Sequence, residues 1–122
     1  MTPAKEKYQS RTEILQGTLD MLILQVLHWG PRHGYALSKV IRTNSGEILK
    51  VDTGSLYPAL HRLERKGWID AEWKASELGP RLRIYRLTKS GRKQLAAERS
   101  RWAQLTEAIA SIMNPAKQES ES

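Results

Sequence analysis

The sequence Thr-Gly-Ser-Leu-Tyr-Pro-Ala-Leu-His-Arg-Leu-Glu-Arg-Lys-Gly-Trp, from Thr53 to Trp68, decides the fold, and it predicts one short amphipathic helix. Proline is tolerated only near the start of a helix, so Pro58 requires the helix to begin within about one turn before it, with Ser55 or Thr53 as the N-cap. Gly67 predicts the end of the helix, because glycine adopts the left-handed conformation that closes a helix.

The two faces of this helix differ in chemistry. Its apolar residues recur at helical spacing and predict a stripe that packs on a core: Leu56, Ala59, Leu60 and Leu63. The opposite face is polar and mostly basic, and it contains Tyr57, His61 and Arg65, with Arg62 beside them. Hydroxyl, imidazole and guanidinium groups on a helix that fits a major groove suit base edges and phosphates. Such a face is also typical of a helix that only faces solvent, and for this helix taken alone that interpretation is favoured.

Composition limits the classes of protein to consider. The 122 residues suit a single domain with a modest core, and a net charge of +7 suits a polyanionic partner such as nucleic acid. The sequence contains no cysteine, which excludes a disulfide framework and fits a reducing cytoplasm. The longest apolar run, residues 21–27, is far shorter than the roughly 20 residues that span a bilayer, and the first residues do not resemble a signal peptide. We therefore expect a cytoplasmic protein without a membrane segment.

Two further helices are predicted before this stretch. After a flexible segment at residues 1–12, the apolar residues recur at helical spacing from residue 14 to residue 29, where Gly30-Pro31 ends the helix. A second helix is predicted for residues 35–43 and a brief strand for residues 48–51. Three successive helices joined by turns are the arrangement of a helix-turn-helix, in which the third helix is presented to the groove.

The pattern changes to alternation after Gly67 and predicts a β-hairpin. Ile69, Ala71 and Trp73 alternate with charged residues, Gly79-Pro80 predicts the turn, and residues 82–87 form the returning strand. The two faces of this returning strand cannot be assigned from the sequence, because apolar residues occupy both. Three cations are predicted near the tip of the hairpin: Lys74, Arg81 and Arg83. A basic hairpin after a basic helix is the outline of a winged helix-turn-helix, and residues 51–93 hold ten Lys and Arg against five Asp and Glu.

Five motifs, spread in order over residues 14–95, resemble the PadR family of bacterial transcriptional regulators. They are Gly17-Thr18-Leu19-Asp20-Met21-Leu22-Ile23-Leu24, Gly30-Pro31-Arg32-His33-Gly34-Tyr35, Gly54-Ser55-Leu56-Tyr57-Pro58-Ala59-Leu60-His61-Arg62-Leu63-Glu64, Gly67-Trp68-Ile69 and Tyr85-Arg86-Leu87-Thr88. The resemblance implies a winged-helix repressor that is a dimer through a C-terminal helix and binds an inverted repeat. It also implies that the segment from Ser55 to Pro58 opens the recognition helix.

A long last helix is predicted from Thr88, as N-cap, to Met113, before Asn114-Pro115. Apolar residues recur along it at heptad-like spacing, interrupted by Glu98, and they predict dimerisation: Leu95, Trp102, Leu105, Ile109 and Ile112. Packing on the first helix of the same chain is the alternative. Dimerisation is preferred because so small a protomer has little core to cover so long a helix. In its single dimerisation helix the chain resembles the shorter members of the family, and residues 114–122 are predicted to be a disordered tail.

The sequence does not predict an enzyme, a metal site or a cofactor. His28, His33 and His61 have no partners at the spacing of metal ligands, and no serine lies in a nucleophile or phosphate-loop motif. The tryptophans have two interpretations. Some PadR-like proteins bind flat aromatic or hydrophobic effectors between subunits, which makes Trp102 a candidate effector contact. The favoured interpretation is structural, with Trp102 at the dimer interface and the other three tryptophans filling the core.

We therefore expect a mainly α protein with a small β-hairpin: a winged helix-turn-helix at residues 13–88 and a dimerisation helix at residues 89–113. The predicted function is sequence-specific binding of double-stranded DNA by a homodimeric regulator, and the resemblance implies that the regulator is a repressor. The predicted DNA contacts are Ser55, Tyr57, His61, Arg62, Arg65, Lys74, Arg81 and Arg83. The alternative is a winged-helix module that uses the same surface to bind an acidic protein.

Overall fold

The computed structural model describes residues 17–115, and in that range it contains four helices and one three-stranded antiparallel sheet. The helices are α1 at residues 17–28, α2 at Gly34–Asn44, α3 at Thr53–Arg65 and α4 at Lys89–Met113. The strands are β1 at Arg32–His33, β2 at Ile69–Ser76 and β3 at Gly79–Leu87, in the order β1-β3-β2. This is the α+β architecture that the sequence predicts. The predicted flexible segment, the start of the first helix and tail residues 116–122 lie outside the described residues.

The first two helices lie where their apolar spacing predicts them. α1 ends at residue 28, and Gly30 follows with a φ of 150° before Pro31. α2 extends one residue beyond the prediction at each end, and the imidazole of its N-cap, His33, accepts a hydrogen bond from the amide of Ala36. The buried side chains of these two helices form half of the core: Leu19, Ile23, Leu24, Val26, Leu27, Leu37 and Ile41.

One strand of the sheet was not predicted, and one predicted strand is wrong. β1 pairs with β3, with Arg32 opposite Tyr85 and His33 opposite Ile84. Residues 48–51 form no strand, and Ile48 is exposed. β1 was missed because a strand of two residues is too short to show alternation in a sequence. Residues 48–51 were predicted as a strand because branched apolar residues have strand propensity, even where no neighbouring strand is available to pair with them.

The N-cap of α3 lies one residue before Thr53 and three residues before Ser55, the two predicted caps. The N-cap is Asp52, whose carboxylate accepts a hydrogen bond of 2.8 Å from the amide of Ser55, so the prediction of Ser55 or Thr53 as the N-cap is wrong. Pro58 consequently lies inside the helix, in its second turn. The predicted apolar stripe is confirmed, because Leu56, Ala59, Leu60 and Leu63 are all buried.

The end of α3 is confirmed at Gly67, which has a φ of 75°. The amide of Gly67 donates to the carbonyl of Glu64, and the amide of Trp68 donates to the carbonyl of Leu63. These two bonds are those of a Schellman motif, which satisfies carbonyl groups that the last turn of a helix leaves free. The motif turns the chain directly from α3 into β2.

The hairpin of β2 and β3, here called the wing, has its turn at residues 77–78, so the predicted turn at Gly79-Pro80 is wrong. Ser76 pairs with Gly79, and the Ser76 hydroxyl donates to the carbonyl of Pro80. The two faces of β3 differ in burial. Tyr85 is buried and Leu87 is half-buried, opposite Ala71 and Ile69 respectively, so this face of the wing covers the core.

α4 belongs to the core only at its beginning. Thr88 is the predicted N-cap and accepts a hydrogen bond from the amide of Gly91. Gly91 and Leu95 are buried, and a Cβ atom on Gly91 would lie 2.0 Å from the carbonyl oxygen of Trp68, so only glycine fits there. From residue 99 to residue 115 every side chain is exposed in this single chain. Leu95 therefore packs in the core of its own protomer, and its predicted place in a dimer interface is corrected.

The tryptophans do not fill the core as the favoured interpretation held. Trp29 is 54% exposed and Trp73 is 56% exposed, while Trp68 is half-buried beside the core. The buried core consists of aliphatic side chains and Tyr85 instead. Three tryptophan rings are thus exposed on the surface: Trp29, Trp73 and Trp102.

Candidate nucleic-acid interface

The outer face of α3 presents the polar side chains that the sequence predicts. His61 and Arg65 are exposed, Tyr57 is exposed at 40%, and all three lie opposite the buried stripe of the same helix. Ser55 is half-buried beside the cap of Asp52. The orientation of these residues is as expected, and their contact with DNA stays a prediction.

The ring of Tyr57 passes close to the start of α2. A Cβ atom on Gly34, the first residue of α2, would lie 3.0 Å from the Tyr57 hydroxyl oxygen. Glycine at this position therefore makes room for the aromatic ring between the two helices. Tyr57 is still 40% exposed, and its packing against Gly34 is a contact that periodicity in the sequence could not indicate.

Arg62 is bound within the protein and does not extend freely into solvent. Its Nη2 atom lies 2.7 Å from Oδ1 of Asp20 on α1, and the two side chains are only 24% and 18% exposed. Such a partly buried pair, joined by a charge-assisted hydrogen bond, ties α3 to α1. This pair holds the Arg62 side chain against α1, and a contact between Arg62 and DNA stays a prediction.

Arg83 is also bound within the protein. Its Nη2 atom lies 2.5 Å from Oε2 of Glu64 on α3, and the side chains are 34% and 27% exposed. Arg83 lies two residues from buried Tyr85 on the core-facing side of β3. Burial raises the pKa of Tyr85 and the charge of Arg83 opposes this rise, so the phenol is neutral at neutral pH.

The outer part of the wing retains exposed cations. Arg81 is exposed, and its guanidinium carbon lies 5.6 Å from the centroid of the Trp73 ring. Lys74 is exposed and lies 3.6 Å from a carboxylate oxygen of Glu72, a distance that leaves it largely available. On the outer face of the sheet Arg86 is paired with both Asp70 and Glu72. Of the three predicted wing cations, Lys74 and Arg81 are therefore placed for an external anion.

Several surface residues were missed by the sequence analysis. Trp73 was taken as core, although its position near the tip of an alternating hairpin could have indicated exposure. Tyr35 is exposed at the start of α2, with its ring stacked 6.4 Å from that of His33. Exposed Lys66 lies over the half-buried ring of Trp68, 4.7 Å from its centroid, at the end of α3. Trp29 borders a shallow open depression of about 390 Å³ that Arg32 and Lys39 also line.

The second half of α4 carries an uncovered apolar stripe. Its members are exposed in this single chain: Trp102, Leu105, Ile109 and Ile112. Burial would raise the pKa of Glu98, but hydrogen bonds from Arg101 and Gln94 outweigh it and lower that pKa below its ordinary value. Glu98 is thus an anion with partners on its own helix, and it separates buried Leu95 from the exposed stripe.

Neither a membrane segment nor a metal centre is found in residues 17–115. No helix there is long and apolar enough to cross a bilayer. No group of three or more His, Asp or Glu side chains in the same range is arranged to hold a metal ion.

Comparison with known proteins identifies the family of this chain. The family model described as "Transcriptional regulator PadR-like family" matches residues 23–97, which include α2, α3 and the whole wing. The chain belongs to the PadR-like family of transcriptional regulators. The match begins within α1 and ends within α4, so it covers most of the winged helix and the part of α4 that packs on it.

Relatives of this PadR-like protein agree with the assignment. Uncharacterized protein X of Lysinibacillus sphaericus is 30% identical over 99 residues, which cover 81% of this chain and 91% of that one. The solved structure of a transcriptional regulator from Clostridium thermocellum has a TM-score of 0.75 and 29% identity, and covers 81% of this chain and 96% of its own. The solved structure of a PadR family regulator from Eggerthella lenta has a TM-score of 0.73 and 29% identity, and the match covers 93% of this chain and 97% of that one. The fold is therefore that of PadR-like regulators.

Proposed function

We propose that this PadR-like regulator binds double-stranded DNA by placing α3 in a major groove and the wing against the adjacent backbone. Tyr57, His61 and Arg65 reach base edges or nearby phosphates, and Lys74 and Arg81 contact the flanking phosphates. Ser55 lies beside them at the start of the helix. The excess of positive charge in residues 51–93 supports this proposal, because phosphate neutralisation supplies most non-specific affinity for DNA.

The observation that carries the proposal is the division of α3 into two faces. One face is fully buried in the core, which holds the helix rigidly, and the other presents Tyr57, His61 and Arg65 to solvent. A helix held in this way loses little further freedom on entering a groove, so more of the contact energy remains available for binding. Two available wing cations, Lys74 on β2 and Arg81 on β3, lie on the hairpin that follows α3 directly.

The regulator acts as a homodimer on an inverted repeat, and it represses transcription. The family resemblance supports this, as does the exposed stripe of α4 from Trp102 to Ile112, because exposed apolar residues at heptad-like spacing suit a partner helix. A twofold dimer presents two copies of α3, which requires half-sites about 34 Å apart, near one turn of DNA. Its expected location is the cytoplasm, where its DNA target would lie.

Selection of fragments from sheared genomic DNA, followed by salt-titrated binding, tests the proposal. We expect the wild-type protein to enrich an inverted repeat and to bind random duplex DNA with an affinity that falls steeply as salt rises. Lys93→Gln serves as the charge-matched control for the wing variant Arg81→Gln, because Lys93 is an exposed cation on α4. Absence of salt-dependent binding to any duplex would contradict DNA binding and favour the alternative, an acidic protein partner on the same surface.

A small aromatic or hydrophobic effector is the second part of the proposal. It is supported by the exposure of Trp102 on the stripe that faces a partner helix in the proposed dimer. Quenching of tryptophan emission by planar aromatic compounds, lost in Trp102→Phe, is the expected result. Quenching that persists unchanged in this variant would place the bound compound elsewhere.

A further inference from the structure

We propose that Arg83 is a positioning residue: with Glu64 it fastens the wing to α3 and sets the distance between the base-reading face and the phosphate contacts. This inference rests on the proposed DNA binding, and it reverses the role that the sequence suggests for Arg83. The DNA phosphates are contacted by Lys74 and Arg81, and Arg83 acts on DNA only through the geometry of the protein.

The first observation is the pair itself. The Nη2 atom of Arg83 and Oε2 of Glu64 are 2.5 Å apart, in a half-buried site between the wing and α3. Glu64 immediately precedes Arg65, the most C-terminal of the proposed base contacts. A bond between the middle of β3 and Glu64 therefore fixes the wing relative to the side chain that reads the groove.

The second observation is a continuous row of contacts along one side of the wing. The guanidinium carbon of Arg83 lies 5.8 Å from the ring centroid of buried Tyr85 and 5.6 Å from that of Trp73, its cross-strand partner. Arg81 lies at 5.6 Å over the same Trp73 ring. Cation–π attraction thus connects the core through Arg83 and Trp73 to Arg81 at the outer end. This row also explains why a large aromatic ring is placed on the surface of the wing.

The third observation concerns charge. A side chain contributes to counterion release only if its positive charge reaches a phosphate, whereas the charge of Arg83 is already balanced by a carboxylate at hydrogen-bond distance. The Nε atom of Arg83 is buried and has no hydrogen-bond partner among the described residues, so this edge of the guanidinium faces the protein. Glu64 on its own would repel a DNA backbone. Pairing with Arg83 removes this repulsion and at the same time holds the wing.

The test compares salt dependence and coupling in the full-length protein. The probe is the DNA fragment that the wild-type protein selects from the genome, and the variants are Arg83→Gln, Glu64→Gln, the double variant, Arg81→Gln and the control Lys93→Gln. We expect Arg81→Gln to reduce the slope of log affinity against log salt by about one unit, because one phosphate contact is lost. We expect Arg83→Gln to leave that slope unchanged and to weaken binding about three- to ten-fold.

Glu64→Gln best distinguishes a positioning role of Arg83 from a direct contact between Arg83 and phosphate. If the pair positions the wing, Glu64→Gln weakens binding although it removes a negative charge, and the double variant binds no more weakly than the weaker single variant. Hydrogen exchange should also become faster in the outer wing of both single variants while α3 stays protected. The control Lys93→Gln should match the wild type in salt slope, in affinity and in hydrogen exchange of the wing.

Two results would overturn the inference. One is a salt slope that falls in Arg83→Gln as it does in Arg81→Gln, which would make Arg83 a phosphate contact. The other is tighter binding by Glu64→Gln with additive effects in the double variant. If Arg83→Gln does not fold, as judged by circular dichroism, Glu64→Gln alone decides by the sign of its effect. Failure of the wild type to bind any duplex would instead refute the proposed function, so the two failures are distinguishable.

Discussion

At the scale of single residues, three arginines that look alike in the sequence have different surroundings. Arg65 is exposed, Arg62 is paired with Asp20 on α1, and Arg83 is paired with Glu64 on α3. Helical spacing correctly placed Arg65 on the outer face, because 100° per residue depends only on local geometry. It could not indicate a partner 42 residues away in the sequence, and for that reason Arg62 was counted as a DNA contact.

Arg62 and Arg65 should therefore separate stability from DNA binding. Arg65→Ala is expected to weaken binding to the selected fragment by roughly 1–3 kcal/mol if Arg65 reads a base, with thermal unfolding unchanged. Arg62→Ala is expected to lower the free energy of unfolding by about 1 kcal/mol, because it leaves the poorly exposed carboxylate of Asp20 unpaired. Thermal melts and fluorescence anisotropy measure the two effects. Equal melting temperatures for these variants would contradict the structural role of Arg62.

Gly91 is predicted to be irreplaceable for steric reasons. A Cβ atom in Gly91→Ala would meet the carbonyl oxygen of Trp68 at 2.0 Å, and relief requires the start of α4 to move from the core. We expect a loss of about 1–3 kcal/mol in the free energy of unfolding, measured by urea denaturation. Gly54→Ala is the matched control, since its added Cβ atom would lie 3.4 Å from the Asp52 carboxylate and alanine favours a helix. A loss of similar size in both variants would rule out the steric explanation.

At the scale of secondary-structure elements, the sequence predicts the long elements well and the short features poorly. Apolar spacing located α1, α2 and α3, and alternation located the wing. The turn was placed at Gly79-Pro80 because this pair is the strongest local turn signal, whereas cross-strand pairing of Ser76 with Gly79 puts it at residues 77–78. Pairing with a distant strand likewise determines β1, which no local pattern reveals.

The two halves of α4 should respond differently to mutation. The heptad-like spacing treats Leu95 and Ile109 as equivalent, but Leu95 is buried in the protomer and Ile109 is exposed. Leu95→Ala is expected to cost about 2–5 kcal/mol of protomer stability. Ile109→Asp is expected to abolish the proposed dimer, because an unpaired charge at a helix-helix interface is costly, while the melting temperature of a diluted sample changes little.

Light scattering coupled to size exclusion measures the oligomeric state of both variants. A wild-type protein that is monomeric at every concentration would contradict dimerisation through α4. An Ile109→Asp variant that remains dimeric would move the interface to another surface. Leu95→Ala acts as the control, since it should remain dimeric as long as it folds.

At the scale of the whole molecule, the proposed recognition of an inverted repeat depends on the distance between two copies of α3, which one chain does not contain. Composition and the five family motifs indicated the class of protein, because net charge and the order of elements are properties of a single sequence. In the proposed dimer, the spacing of half-sites depends on how the two α4 helices cross. It therefore has to be measured on DNA.

A change in half-site spacing tests the twofold arrangement. Insertion of about five base pairs between the half-sites of the selected fragment turns the second half-site to the opposite side of the DNA, so that one copy of α3 loses its groove. We expect the affinity to fall to that of a single half-site, measured by electrophoretic mobility shift. Unchanged affinity would indicate that the two copies bind independently.

The two-residue strand β1 has a mechanical consequence for the wing. It pairs with β3 only at Tyr85 and Ile84. The base of the wing therefore belongs to a three-stranded sheet, whereas the outer part of the wing contains only β2 and β3. A two-stranded ribbon bends and twists more easily than a wider sheet. The wing is therefore expected to be more flexible at its tip than at its base. In the proposed DNA complex, we expect the tip of the wing beyond Arg83 to bend with the width of the groove, while β1 and the Arg83–Glu64 pair hold the base in place.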